Sequence, residues 1–257
     1  MKSIILAAGQ GTRLRPLTDD RPKCMVEFNG TPLLHYQINT LKESGITGIT
    51  VIAGYREDKI DIPGVSKIIN ERYAETNMVA TLFTAEPLMD GRDDLIISYG
   101  DIIFEKGVID SLIKSDAELC VISDREWRRY WSLRMENPLE DAETFKVKND
   151  RVIELGKKPG SYEDIQGQYI GLIKVRADMV QKFRSVRNSM DRTAVYDGKD
   201  FDNMYMTSFI QHLIDQGWHV KPVWIDNGWL EVDSVEDLRQ YEKMLKDSTL
   251  AEIIRIV

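Results

Sequence analysis

Two glycines, an arginine and a lysine follow closely behind the first apolar run of the chain. The stretch reads Leu6-Ala7-Ala8-Gly9-Gln10-Gly11-Thr12-Arg13-Leu14-Arg15-Pro16-Leu17-Thr18, with Arg21-Pro22-Lys23 close behind. Glycines placed directly after a buried strand let backbone N–H groups approach phosphate oxygens, and Arg13 and Lys23 add the positive charge a polyphosphate needs. A dinucleotide-binding loop requires GxGxxG running into a helix. Here Leu14 stands where the third glycine belongs, and Pro16 and Pro22 would break that helix. A Walker loop, GxxxxGK[ST], is absent. The pattern therefore predicts a long loop folded around a triphosphate, set against the plainer reading of a surface turn with incidental glycines.

Two carboxylates suit the same chemistry. Asp101 ends the run Leu95-Ile96-Ile97-Ser98-Tyr99-Gly100, and a carboxylate at the C-terminal end of a strand projects into the crevice that the glycine loop would occupy. It would serve equally as a helix N-cap, except that Ile102-Ile103-Phe104 is extended in character before any helix begins. Asp233, in Leu230-Glu231-Val232-Asp233-Ser234, precedes a helical pattern that Ser234 can cap, which leaves Asp233 free. Phosphoryl-type transfers depend on neutralising phosphate charge, and Mg²⁺ held by one or two carboxylates together with phosphate oxygens is the usual device.

The loop resembles the G-x-G-T-R-[LM]-x-P-L-T…P-K signature of the sugar-phosphate and choline-phosphate nucleotidyltransferases, and the order of later motifs follows that family over nearly the whole chain. The resemblance implies an α/β fold with a Rossmann-like mixed, mainly parallel sheet. It also implies Mg²⁺ dependence and attack of an acceptor phosphate on the α-phosphorus of an NTP. On the same basis Leu6, Ala8, Gly9, Gly11, Thr12 and Gly100 hold the nucleotide, Arg13 grips its pyrophosphate portion, and Lys23 neutralises charge near the α-phosphate. Asp101 and Asp233 fit the family's Y-[GA]-D and E-[VI]-D sites, which share the metal ion. Lys158, in Lys157-Lys158-Pro159, matches the K-P site that contacts the acceptor phosphate.

The nucleotide and acceptor are read from three further segments. A Gly-Thr-Ala-type run usual in sugar nucleotidyltransferases is missing. Asn70-Glu71-Arg72-Tyr73-Ala74-Glu75-Thr76-Asn77 instead resembles the bacterial LicC-like phosphocholine and phosphoglutamine cytidylyltransferases and related aminoethylphosphonate enzymes. This makes CTP the expected nucleotide, with Asn77 beside it or capping a helix. A sugar-1-phosphate uridylyl- or thymidylyltransferase is the alternative, and a regulatory domain that binds nucleotide without turnover is a third reading.

Trp127, Tyr130 and Trp131 fall on one helical face. They would hold a quaternary ammonium by cation–π attraction, or simply pack against the core. Arg128, Arg129 and Arg134 would suit an acceptor carboxylate or phosphonate, or lie solvated on the surface. Tyr169, on the family's acceptor-side strand, and Tyr205 complete the expected acceptor set. Tyr205-Met206-Thr207 departs from the Tyr-Trp-Asp of the choline enzyme, which argues against choline itself.

The elements that must position these residues alternate between strand and helix patterns, as in an α/β sheet. Strands are expected over 3–7, 49–53, 65–69, 94–98, 118–123, 168–175 and 219–225, and a hairpin over 143–155 turning at Asn149-Asp150. Helices are expected from Thr31-Pro32 to Gly45 and over 106–114, 178–186, 204–216 and 235–247, with a polar surface loop over 187–200. The whole chain, 1–257, reads as one nucleotidyltransferase domain with a small β-rich insertion around 124–175. In it a nucleotide-binding part (about 1–123), an acceptor-binding part (about 124–233) and a C-terminal helix follow one another.

Composition sets the outer limits. A net charge of −8 disfavours nucleic acid as a partner. No apolar run approaches the roughly 18–20 residues that cross a bilayer. The apolar N-terminus is too short for a signal peptide and reads as a buried strand. Cys24 and Cys120 lack CxxC spacing, and His35, His212 and His219 lack metal-ligand spacing. A cytoplasmic protein acting on CTP and a small phosphorylated acceptor is the resulting expectation, with a homodimer compatible with the sequence.

Overall fold

β1 (Lys2–Ala7) is apolar on both faces because it runs through the middle of a sheet covered on both sides. Its residues divide by alternation: Ile5 and Ala7 join one apolar layer, Ile4 and Leu6 the other. In the computed structural model, which describes residues 1–256, the chain continues through a two-residue ladder of β2 (Glu27–Phe28) and β3 (Thr31–Pro32) into α1 (Leu33–Glu43). β4 (Gly48–Ala53), β5 (Ser66–Ile69), α2 (Met78–Phe83), β6 (Leu95–Tyr99), β7 (Ile102–Phe104), α3 (Lys106–Lys114) and β8 (Leu119–Asp124) complete the N-terminal half. α4 (Trp127–Arg134), the hairpin β9 (Phe145–Lys148) and β10 (Arg151–Leu155), and β11 (Gln168–Val175) follow. The chain then runs through α5 (Ala177–Ser189), α6 (Met206–Asp215), β12 (Val220–Ile225), β13 (Trp229–Glu231) and α7 (Val235–Lys246).

The main sheet has the order β12-β8-β11-β6-β1-β4-β5. Every neighbouring pair is parallel except the two made by β11, which runs antiparallel to both β6 and β8. β11 enters from the β9–β10 hairpin, without the crossover helix that a parallel strand requires. One apolar layer carries side chains of α1, α3, α4 and α7, and the other those of α2, α5 and α6. This is the mixed, mainly parallel sheet expected, and the C-terminal ends of β1 and β6 open on the same edge.

Several boundaries differ from the sequence reading. Thr31 does not cap α1; Thr31-Pro32 pairs with β2, and Pro32 takes the cap position. α5 extends through Ser189 and takes the first residues of the expected loop. β7 falls on Ile102–Phe104, read from sequence only as extended, α2 follows Asn77, offered there only as an alternative cap, and β13 was not expected. Three-residue strands have too little periodicity to read, and β7–β13 pairing joins residues more than a hundred positions apart.

Candidate active site

Gly11 adopts φ +65° and leads into a 3₁₀ turn, Thr12–Leu14, whose last residue is fully buried. The hydroxyl of Thr18 donates to the Gly11 carbonyl at 2.8 Å and ties the returning chain to the loop. Pro22 then opens a second 3₁₀ turn, Lys23–Met25, anchored by buried Cys24. Burial pushes the Cys24 thiol up to about 12, so it is an apolar anchor and not a nucleophile. A Cβ at Gly11 would stand 2.8 Å from Lys23 Cβ, so glycine is what permits the lysine to lie against the loop. The prolines divide the segment into turns, which is why no helix follows the glycines.

Lys23 Nζ lies 2.7 Å from Asp101 Oδ2 and 2.6 Å from Asp233 Oδ1. Arg13 pairs with the other oxygen of Asp233. Burial alone would lower the Lys23 ammonium, but the carboxylates of Asp101 and Asp233 overrule it and hold it above the ordinary lysine range. Asp101 arrives because Gly100 N–H donates to Leu6 O at 2.9 Å, and a Cβ on Gly100 would meet that oxygen at 2.6 Å. The end of β6 thus lies hard against β1, with buried Gln37 of α1 donating to the Tyr99 carbonyl. Antiparallel pairing of β7 with β13 sets Ile102 opposite Glu231, and Val232 N–H donates to Asp101 O, which brings the second aspartate over the first. Neither aspartate is spent on a helix cap. Glu105 takes the cap position of α3, and Ser234 caps α7 in a capping box with Asp237.

A cavity of about 390 Å³ opens at this edge. Of the residues expected around nucleotide and metal, Leu6, Ala8, Gly9, Gly11, Thr12, Arg13, Lys23, Asn77, Gly100, Asp101 and Asp233 all line it. Asn77 takes the capping role, its Oδ1 accepting the Met78 N–H at 2.8 Å at the start of α2, and it also faces the cavity. Asn70 organises that approach from below, donating to the hydroxyls of Thr76 and Thr81 at 3.0 Å each. Tyr73, Thr81, Tyr99 and Glu231 also face the cavity and were not singled out from sequence. Tyr99 and Glu231 stand inside the quoted Tyr-Gly-Asp and Glu-Val-Asp runs. Thr81 lies four residues after Asn77, one turn along the same helix face.

The expected acceptor residues are distributed differently; none of Trp127, Trp131, Arg129, Lys158, Tyr169 and Tyr205 lines the cavity. Trp127 and Trp131 are 4% and 5% exposed and pack edge-to-face on one another, Trp131 also against Trp229, so the core-packing reading holds and no aromatic cage forms. Indole Nε1 of Trp131 donates to Asp141 at 3.0 Å. Arg129 pairs with Glu252 near the C-terminus. Arg134, expected to face an acceptor or solvent, does neither and is buried against Glu231 and Asp237. Lys158 Nζ donates to the carbonyls of Leu139 and Glu140 at 2.9 Å each. Tyr169 lies behind Tyr99, ring centroids 5.8 Å apart, and Tyr205 is exposed beside Lys199. The Tyr99 ring occupies the space that a side chain at Gly171 would need.

A glycine loop, two aspartates and a lysine thus meet at the end of the sheet around one cavity. Residues 3–220 match the model of the MobA-like NTP transferase domain. The chain belongs to the MobA-like NTP transferase family. Over 255 residues it is 45% identical to the CTP:phosphoglutamine cytidylyltransferase of Campylobacter jejuni, covering 95% of this chain and all of that protein. The choline-phosphate cytidylyltransferase of Streptococcus pneumoniae is 47% identical over 87 residues, 32% of this chain and 38% of its own. The solved CTP:phosphocholine cytidylyltransferase LicC from Streptococcus pneumoniae superposes with a TM-score of 0.71 at 26% identity, covering 95% of this chain and 98% of that one. NTP transferases of this kind generally use a divalent metal. Among the described residues no cluster of three or more His, Cys, Asp or Glu could hold one. Two carboxylates with substrate phosphates completing the shell is the arrangement that Mg²⁺ prefers. Oδ1 of Asp101 is buried without any hydrogen-bond partner, an acceptor that a cation would satisfy.

Proposed function

We propose that the protein is a cytoplasmic cytidylyltransferase that moves CMP from CTP to a small phosphorylated amine or amino acid and releases pyrophosphate. One observation carries the reading: Gly11, Arg13, Lys23, Asp101 and Asp233 converge on one cavity in a chain that aligns over 95% of its length with a cytidylyltransferase. Among the described residues no helix is long and apolar enough to cross a membrane.

The chemistry needs no nucleophilic side chain. An oxygen of the acceptor phosphate forms a bond to the α-phosphorus of CTP, and the bond from that phosphorus to the bridging oxygen of the β-phosphate breaks, its electron pair leaving with pyrophosphate. The backbone of residues 8–12 would cradle the phosphates, Arg13 would hold the departing pair, and Lys23 would turn to the α-phosphate. Asp101 and Asp233 would hold Mg²⁺, which when bound neutralises phosphate charge and polarises the reacting phosphoryl group. The wall carrying Tyr73, Thr76, Asn77 and Thr81 would receive the nucleoside. The acceptor would enter from the side of residues 124–233, beside Tyr99 and Glu231. Glu143 lies near that side; burial, then Asp141, Asp197 and Glu231, push its carboxyl up to about 7.

Pyrophosphate release measured with each of four NTPs against phosphoglutamine, phosphocholine, aminoethylphosphonate and glucose-1-phosphate tests the reading. Turnover with CTP and an amine-bearing acceptor is expected. Turnover only with UTP or dTTP and glucose-1-phosphate would overturn it, and activity surviving Asp101→Asn and Asp233→Asn together would remove the metal assignment.

A further inference from the structure

Arg134 lies in the last turn of α4 with its side chain 4% exposed, outside the cavity. A guanidinium so far from water stays only where carboxylates meet it, and two do. Nη1 is 2.5 Å from Glu231 Oε2, while Nε and Nη2 lie 2.9 and 3.2 Å from the two oxygens of Asp237. Burial would lower the arginine, but Glu231 and Asp237 hold it raised and charged.

The two partners bracket Asp233. Asp237 Oδ2 accepts the backbone N–H of Asp233 at 3.0 Å and of Ser234 at 2.9 Å. On the other side, Glu231 N–H donates to the Tyr130 hydroxyl at 2.8 Å, and the Tyr241 hydroxyl donates to Glu231 O at 2.9 Å. Tyr130, like Arg134, belongs to α4. One planar fork therefore fixes the residue two before Asp233 and the residue that holds Asp233's own amide.

We propose that Arg134 is a positioning residue that sets the Asp233 carboxylate for the divalent cation. This rests on the reading of Asp101 and Asp233 as the metal pair. Lysine keeps the charge but cannot span both carboxylates, so Arg134→Lys separates orientation from charge.

The test is Mn²⁺ binding followed by electron paramagnetic resonance, with CTP saturating and no acceptor present, beside a thermal melt of each protein. Groups that orient metal ligands typically change metal affinity by about 10–100-fold. Arg134→Lys is expected to weaken Mn²⁺ by at least about tenfold in protein that still melts cooperatively, while turnover at saturating metal recovers. Exposed Arg128 on the same helix is the control, and Arg128→Ala should leave Mn²⁺ binding unchanged. Asp237→Asn repeats the test with the amide oxygen still able to accept at the helix cap, and decides the matter where the arginine variant does not fold. Unchanged Mn²⁺ affinity in a folded Arg134→Lys or Asp237→Asn protein overturns the proposal, as does an equal loss in Arg128→Ala. A wild-type protein that binds no Mn²⁺ with CTP would instead overturn the metal pair itself.

Discussion

Replacing Lys23 with methionine should destabilise the protein and at the same time free its carboxylates for metal. Lys23 Nζ is the partner of Asp101 Oδ2, and Asp101 Oδ1 has none, so the substitution strips that carboxylate of its hydrogen bonds. Asp233 keeps Arg13. Removing one member of a buried pair costs about 3–5 kcal/mol. The side chains here are 13–22% exposed and Asp233 retains a cation, which brings the loss below that range, to about 2–3 kcal/mol. For a chain of this size that corresponds to a fall in Tm of roughly 5–10 °C. Mg²⁺ should restore much of it, because a cation no longer has to displace an ammonium. At 100 times its Kd a ligand contributes about 2.7 kcal/mol. Calorimetric melts of both proteins with and without Mg²⁺ make the comparison. CMP transfer should nonetheless fall by about 10²–10³, as when one preorganised donor to the developing charge is lost. A Lys23→Met protein as stable as wild type in the absence of metal, or an equal Mg²⁺ response in both, would refute the counter-ion reasoning.

Three further outcomes follow from the geometry. Gly11→Ala forces a side chain onto a φ of +65° and against Lys23 Cβ at 2.8 Å; a loss of about 1–3 kcal/mol and a raised KM for CTP are expected, by melts and steady-state kinetics. Glu143 is raised from its ordinary 4.5 to about 7. Between those values the unfolded chain has released its proton while the folded one keeps it, so stability should decline as pH rises through that window. Melting temperatures against pH should show this decline, and Glu143→Gln should flatten it. Trp131→Ala should cost about 3–5 kcal/mol, as for a core aromatic, with the acceptor KM unchanged in whatever remains folded; a raised KM without loss of stability would restore the aromatic-cage reading.

The nucleotide half was legible because its signals are local. Gly11 and Pro22 dictate turns through their own backbone chemistry, and Asp101 follows an apolar strand whose C-terminal end must open on the crevice. The acceptor side was not legible in the same way. Trp127, Trp131, Arg129 and Arg134 have the composition of a ligand-binding face, but a side chain's type does not say which neighbour will satisfy it. The fold turns the tryptophans to the core and spends the arginines on Glu252, Glu231 and Asp237. Asn77, legible as a cap or as a residue beside the nucleotide, caps α2 and also faces the cavity.

By itself, then, the order of residues determined the α/β class, the glycine loop and the two aspartates, since each follows from short-range backbone and burial preferences. Only the tertiary structure decided that Asp101 and Asp233 meet. They are brought together by the pairing of β7 with β13, two three-residue strands whose register depends on packing against α4 and α7 and on no local pattern. It also decided that Lys23 lies between them, because the loop carrying it is held in place by Thr18 and by the absence of a side chain at Gly11.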